Sequence, residues 1–335
     1  MTTNSAEQKQ PEPPMNAKKP LKQGVRKFCT APMMDWSDRH CRRFWRALSQ
    51  HSLLYTEMVT TGALIHGDRQ RFLAFNDEEH PVALQIGGSK PDELAQCAQF
   101  AEQFGYDEVN LNVGCPSDRV QNNMIGACLM AHPQLVRDGL KAMRDTCNID
   151  VTVKHRIGID HQDSYEHLRD FVGIVKDSGV NTFIVHSRTA ILQGLSPKEN
   201  RDIPPLRYEL VYRLKQDFPE LEIIINGGIQ THPQCQQHLN QVDGVMLGRE
   251  AYHTPSVLLD VDHLYYQSSQ ADSSIDARKQ AIRSMYPYIE QQLQGGATLH
   301  HISRHMLGLF NGEIGARLFR RHLSEQAHKA GSGIE

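Results

Sequence analysis

The chain has 335 residues, 39% of them hydrophobic and 22% charged, with a formal net charge of −3. That composition supports a sizeable core and excludes a disordered chain, and the slightly acidic balance excludes a wholly basic nucleic-acid coat, so any polyanion must meet a local basic patch. The seven cysteines form no CxxC pair, no 18-residue apolar stretch occurs and no signal-like apolar run opens the chain; the expectation is a protein of the reducing cytoplasm without a disulfide framework, zinc ribbon or membrane span.

Residues 1–27 read as a flexible polar tail that ends in the basic cluster Lys18, Lys19, Lys22, Arg26 and Lys27. From Phe28 onward, short apolar runs alternate with helix-period segments. Strands are expected at 28–33, 52–58, 82–87, 108–113, 151–156, 181–186, 222–226 and 243–248, with amphipathic helices between them, among these 91–104, 132–147 and 164–179. Pro91 suits the first helical turn, and Asp92 and Glu93 suit the positive end of its dipole. Arg39, Arg42 and Arg43 read as decoration on a helix surface. Strands this apolar are buried on both faces, as in parallel sheets. Eight strand–helix units over about 230 residues is the count of a (β/α)8 barrel, whereas a doubly wound dinucleotide fold lacks its GxGxxG here. Beyond about residue 262 the strand signal stops, and 275–294 and 298–328 read as helices broken at Gly295-Gly296 and within 308–315. The expected architecture is α/β: a (β/α)8 TIM barrel over 28–262, then a small all-helical domain over 263–330.

In such a barrel the reactive groups stand at the C-terminal strand ends. Those ends hold Ala31-Pro32-Met33-Met34 after the first strand and Gln85 in the third. The fourth carries Asn110 and Asn112 and runs into Gly114-Cys115-Pro116, and the fifth carries Lys154 and Arg156. His186 ends the sixth strand, Asn226-Gly227-Gly228 the seventh and Gly248-Arg249 the eighth. Glycines after the seventh strand with a glycine and a guanidinium after the eighth make a phosphate site, since those two loops commonly hold one in this fold. The phosphate belongs to a substrate or to a cofactor. A cation beside the N1–C2=O edge of a flavin stabilises the reduced, anionic ring, a role that suits Lys154, with His186 on the adjacent strand. Cys115 differs from Cys97, Cys128 and Cys147, which read as small buried hydrophobes, because it lies on a loop at the catalytic rim. A cysteine thiol ordinarily titrates near 8.5 and carries its proton at pH 7, which suits a proton donor.

With these residues assembled, the sequence closely resembles the tRNA-dihydrouridine synthases, and within them the A subgroup. The resemblance covers about 28–328. It rests on APMMDWSDRHCR (31–42), LQIGG (84–88), EVNLNVGCPSDRVQNNMIGACLM (108–130), VKHRIGID (153–160), FIVHSRTA (183–190), INGGI (225–229), VMLGREAY (245–252) and RHMLGLFNGEIGARLFRRHLSE (304–325). Asn123 stands where a small residue, often Gly, is expected. The resemblance implies an FMN enzyme, recharged by NADPH, that reduces uridines in the tRNA D-loop; the A subgroup is associated with positions 20 and 20a. Matched residue by residue, it implies FMN contacts from Pro32, Met33, Met34, Gln85, Lys154 and His186, and a phosphate grip from Asn226, Gly227, Gly228, Gly248 and Arg249. It implies Cys115 as the proton donor.

That chemistry agrees with the residues. The C5=C6 bond of uracil is polarised, so hydride from the flavin adds at C6 and Cys115 supplies a proton to C5 from the opposite face. Asn112, beside it, is expected to contact the uridine, which must be flipped out of the tRNA to enter the mouth. The stretch of about twenty residues between His186 and Leu206 is long for a compact barrel and sits at the active mouth, so Lys198 and Arg201 within it read as tRNA contacts. Between 297 and 330, Arg304, Arg317, Arg320, Arg321 and Lys329 face only Glu313 and Glu325, and Arg317, Arg320 and Arg321 share one helix face, which reads as a second phosphate-binding surface. His301 and His305 have i, i+4 spacing, but no acidic or cysteine ligand stands near them and no metal is expected. No membrane and no protein partner is expected. Three rival readings remain: a flavin barrel reducing a free pyrimidine or small enone, a lyase forming a Schiff base through Lys154 on a sugar phosphate, and a noncatalytic RNA-binding barrel.

Overall fold

The computed structural model describes residues 21, 22, 24–117, 124–268 and 270–335; residues 1–20 and 23 of the tail expected over 1–27, and Asn123, lie outside them. Eight strands, β1 (Phe28–Thr30), β2 (Leu54–Thr60), β3 (Val82–Gly87), β4 (Glu108–Val113), β5 (Asp150–Arg156), β6 (Thr182–His186), β7 (Glu222–Asn226) and β8 (Gly244–Leu247), pair in parallel in the order β1-β8-β7-β6-β5-β4-β3-β2. The ring closes between the two ends of that order, where Cys29 lies opposite Leu53 and the Thr30 N–H donates to the Leu53 carbonyl at 3.0 Å. Crossover helices such as Pro91–Phe104, Pro133–Arg144 and Tyr165–Lys176 return the chain over the outside. The first of these starts on Pro91 with Asp92 and Glu93 in its first turn and ends on Gly105 at φ 92°. The first strand is shorter than expected, but the Ala31 N–H still reaches the Leu247 carbonyl at 2.7 Å.

Alternation along each strand sorts its residues into two sets. Phe28, Leu54, Val82, Leu84, Val109, Leu111, Val151, Val153, Phe183 and Ile225 point outward into the layer shared with the helices. A smaller inner cluster of Cys29, Ala31, Leu53, Tyr55, Ala83, Ile184, Ile224 and Met246 fills the barrel. The inner positions of β4 and β5 are instead polar, and they position the site.

Two arginines differ from their expected surface placement. Arg26 is no tail cation. It is buried across the N-terminal end of the barrel, its guanidinium donating to Glu108 at 2.8 Å, Glu222 at 2.9 Å and Asp150 at 2.5 Å. Three inward carboxylates at the starts of β4, β5 and β7 need that charge, and the chain immediately before β1 supplies it. Arg42, expected on a helix surface, is buried as well: Nε pairs with Glu79 at 2.5 Å and Nη1 donates to the Ser37 carbonyl at 2.7 Å.

After Tyr266 the described residues form helices and no further strand. The expected helix over 275–294 is two, Ile275–Ser284 and Tyr286–Gln294, the second carrying Pro287 in its first turn. The region 298–328 forms Leu299–Ser303, a 3-10 turn Arg304–Met306 and, past the expected interruption, Ala316–Gln326. This part packs beside the barrel mouth: Asp38, which caps the helix Arg39–Leu48, pairs with Arg304 at 2.8 Å and with His305 at 3.1 Å. Next to that joint Trp36 stacks on Tyr252 at 4.5 Å.

Candidate active site

Three levels of inner residues rise along β4, from Glu108 to Asn110 to Asn112, and along β5, from Thr152 to Lys154 to Arg156. Register places Asn110 beside Thr152, Asn112 beside Lys154 and Arg156 beside His186. A chain of hydrogen bonds climbs through them. Thr152 donates to Glu108 Oε1 at 2.5 Å, Asn110 Nδ2 to Thr152 Oγ1 at 2.8 Å, Gln85 Nε2 to Asn110 Oδ1 at 2.8 Å and Asn112 Nδ2 to Gln85 Oε1 at 2.8 Å. Asn112 Oδ1 then accepts the backbone N–H groups of Gly114 and Cys115, each at 3.0 Å. A carboxylate ends the chain below and backbone donors end it above, so no amide in it can turn over without facing like against like. Tyr55, donating to the same Glu108 oxygen at 2.5 Å, completes the lower end.

Cys115 is thereby held at the rim from one side. From the other, its carbonyl accepts the Ala127 N–H at 2.8 Å, and Gly126, at φ 83°, lies so close that any side chain there would press on the Cys115 carbonyl oxygen. The thiol itself is partly exposed. Arg156 supplies a third brace, since Nε donates to the Gly114 carbonyl at 3.1 Å and Nη1 to the Asn200 carbonyl at 2.9 Å.

Lys154 and His186 face the same mouth, and neither side chain makes a hydrogen bond among the described residues. Burial, and then the neighbouring Arg156, pushes the Lys154 pKa down to about 7, with Cys115 acting in the opposite direction. Burial holds the His186 pKa well below its ordinary value, assisted by Arg156, Lys154, Arg188 and Arg201, so at neutral pH the imidazole is uncharged. At the end of β7 the backbone makes a cradle. Gly227 and Gly228 have φ 116° and 69°, and side chains there would meet the His186 ring at 2.7 Å and Leu206 at 2.5 Å. Asn226 Nδ2 donates to the Met246 carbonyl at 2.8 Å, tying that loop to β8, and Tyr208 donates to the Gly227 carbonyl at 2.7 Å. Gly248 abuts Ala31 and Met33, so the ends of β1 and β8 adjoin there, with Pro32 partly buried and Met34 exposed.

The long segment after β6 is ordered around Asn200, whose amide donates to the Ile191 and Leu195 carbonyls at 2.9 and 3.2 Å. It presents Lys198 and Arg201 outward, and its Asp202 pairs with Arg249 at 2.7 Å. The structure thus brings Cys115, Asn112, Gln85, Lys154, His186 and the β7 and β8 loops to one end of the barrel. On the helix Ala316–Gln326, Arg317 and Arg321 are exposed, whereas Arg320 turns inward and donates to Asn311 Oδ1. Sequence reasoning gave no role to Arg156, Thr152 or Glu108; the available signal was the alternation that puts Thr152 and Arg156 two residues below and above Lys154, and Glu108 four below Asn112.

A family model described as dihydrouridine synthase matches residues 29–335. The tRNA-dihydrouridine(20/20a) synthase of Pseudomonas syringae pv. tomato is 63% identical over 91% of this chain and 90% of its own length. The protein of the same description from Escherichia coli K12 is 60% identical over 92% of this chain and 88% of its own. Among solved structures, the old yellow enzyme homologue from Zymomonas mobilis superposes with a TM-score of 0.52 at 12% identity, covering 75% of this chain and 91% of that one, which is a likeness of fold.

Proposed function

The chain belongs to the dihydrouridine synthase family, and from that premise we propose that it reduces uridine to 5,6-dihydrouridine in the D-loop of tRNA, at positions 20 and 20a, with FMN as cofactor and NADPH as reductant. The observation that carries this reading is the convergence of two kinds of group on one end of the barrel. On β5, β6 and β7 stand a lysine whose side chain makes no hydrogen bond among the described residues, a neutral histidine and a glycine cradle; just after β4, the strand paired with β5, stands a thiol whose backbone is tied down by three neighbours.

The residues present suit a phosphorylated flavin. The backbone at Gly227, Gly228 and Gly248, with the Arg249 guanidinium and the Asn226 brace, would hold the phosphate. Lys154, Gln85, His186, Pro32, Met33 and Met34 would hold the ring system. When bound, the flavin supplies the reducing equivalent delivered to C6 of the pyrimidine. Lys154 would set its ammonium against the negative charge of a reduced flavin ring, which would in turn keep the lysine protonated. Cys115 gives its proton to C5. Asn112, with one N–H free beyond the one on Gln85, donates to a carbonyl of the uracil ring. Lys198, Arg201 and Arg317 meet tRNA phosphates, with Arg320 bracing its helix on Asn311 instead, which fixes the RNA while the target base swings into the mouth.

The purified protein should be yellow, with flavin absorbance that NADPH bleaches, and should form dihydrouridine in unmodified tRNA but not in free uridine. Product from free uridine would instead favour a pyrimidine reductase. The depressed pKa of Lys154 also suits an amine nucleophile; a colourless protein whose Lys154 is trapped by borohydride on a sugar phosphate would favour the lyase.

A further inference from the structure

The helix Ala316–Gln326 contains no fully buried residue. Its inner side is held by Phe319 against Phe310 at 4.8 Å and by Arg320 on Asn311. Its outer side carries Arg317, Leu318 and Arg321, and Ile314 precedes the Gly315 turn that starts it; Ile314 is wholly exposed and Leu318 is 61% exposed. A single exposed aliphatic residue is ordinary. Here two lie within five residues, interleaved with two guanidinium groups.

Exposed apolar side chains also stand around the mouth, one of them near an arginine. Of the eight large exposed hydrophobic residues among the described ones, Met34, Met124 and Ile203 stand on the loops after β1, β4 and β6, with Ile203 two residues from Arg201. The helical segment is fastened to that side of the barrel, since Asn311 Nδ2 donates to the His253 carbonyl at 2.5 Å just beyond β8. Three exposed aliphatic residues next to arginines, Ile203, Ile314 and Leu318, therefore lie on the two surfaces assigned above to RNA.

We propose that Ile314 and Leu318 cover the face of an unstacked nucleotide of the tRNA while Arg317 and Arg321 take the phosphates on either side of it. This rests on the tRNA reading of the preceding section. Nucleic acid offers both partners at once, because every base has an apolar face flanked by phosphate charge. A second copy of this chain fits less well: a two-fold contact would set this face against itself and bring the arginines of one copy toward those of the other.

The two contributions separate by salt. Phosphate contacts release counterions and weaken as salt rises, whereas aliphatic contact with a base does not. Binding of an unmodified tRNA transcript to the full-length protein is measured between 50 and 300 mM KCl for wild type, I314S/L318S and R317A/R321A, each checked for an unchanged melting temperature and flavin spectrum. We expect I314S/L318S to bind roughly tenfold more weakly at every salt concentration with the wild-type slope of log affinity against log salt, and R317A/R321A to show a slope shallower by about one to two. I314S/L318S binding within twofold of wild type, or a wild-type dimer in sedimentation that I314S/L318S dissolves, overturns the proposal. Failure of the wild type itself to bind tRNA would overturn the tRNA reading, and this proposal with it.

Discussion

The side chain of Asn112 carries the backbone of Cys115: its Oδ1 accepts the Cys115 and Gly114 N–H groups, both at 3.0 Å, while its Nδ2 is anchored on Gln85 at 2.8 Å. The residue proposed to meet the uracil ring thus also sets where the thiol stands. Asn112→Ala should lower kcat for dihydrouridine formation by about 100-fold, the scale expected when a reacting group is displaced by about an ångström, with flavin content retained. Steady-state kinetics with unmodified tRNA check this; a change confined to KM would mean that Asn112 acts on the base alone.

Lys154 links the site to stability. Its pKa near 7 in the folded chain lies below the roughly 10.4 of an unfolded lysine. Between those values the unfolded chain binds a proton that the folded one does not, so stability rises with pH across that window and is flat in this respect below it. In flavin-free protein, the melting temperature of wild type relative to Lys154→Met should therefore climb from pH 7 to pH 9.5. A constant difference would show that the ammonium is not the strained group.

Arg26 closes the other end of the barrel. Arg26→Ala would leave Glu108 buried with only the Tyr55 and Thr152 hydroxyls, each at 2.5 Å, to satisfy it. Loss of one partner of a buried ion pair costs about 3–5 kcal/mol, and urea unfolding should show a loss of that order. Arg26→Lys should recover little, because a single ammonium cannot divide itself among Glu108, Asp150 and Glu222 as the guanidinium fork does.

The barrel was legible because each strand is a short apolar run ended by a turn signal, and β3, β4 and β7 match their expected bounds to the residue. The mouth residues were legible for a related reason. Asn112, Lys154 and His186 are polar side chains at the C-terminal ends of their strands, where a packing role is a poor explanation. What stayed hidden depends on contacts distant in sequence. Nothing near Arg26 or Arg42 in the chain announces the carboxylates at 108, 150, 222 and 79, so both read as surface charge. The break at Met285 was missed because Pro287 falls in the first turn of the following helix, where proline needs no break of its own. Arg320 read as equivalent to Arg317 and Arg321 because helical spacing cannot tell which arginine of a basic face finds Asn311.

The most direct test of the account is a single anaerobic turnover. NADPH-reduced protein, freed of excess NADPH, is mixed with unmodified tRNA, and dihydrouridine is counted against flavin reoxidised at 450 nm for wild type and for Cys115→Ala. The account predicts one dihydrouridine per flavin for wild type, and for Cys115→Ala a yellow protein that binds tRNA yet forms product at least about 100-fold more slowly, the usual worth of a positioned proton donor. Product formed by Cys115→Ala at the wild-type rate, or flavin reoxidised by tRNA without dihydrouridine appearing, would contradict it.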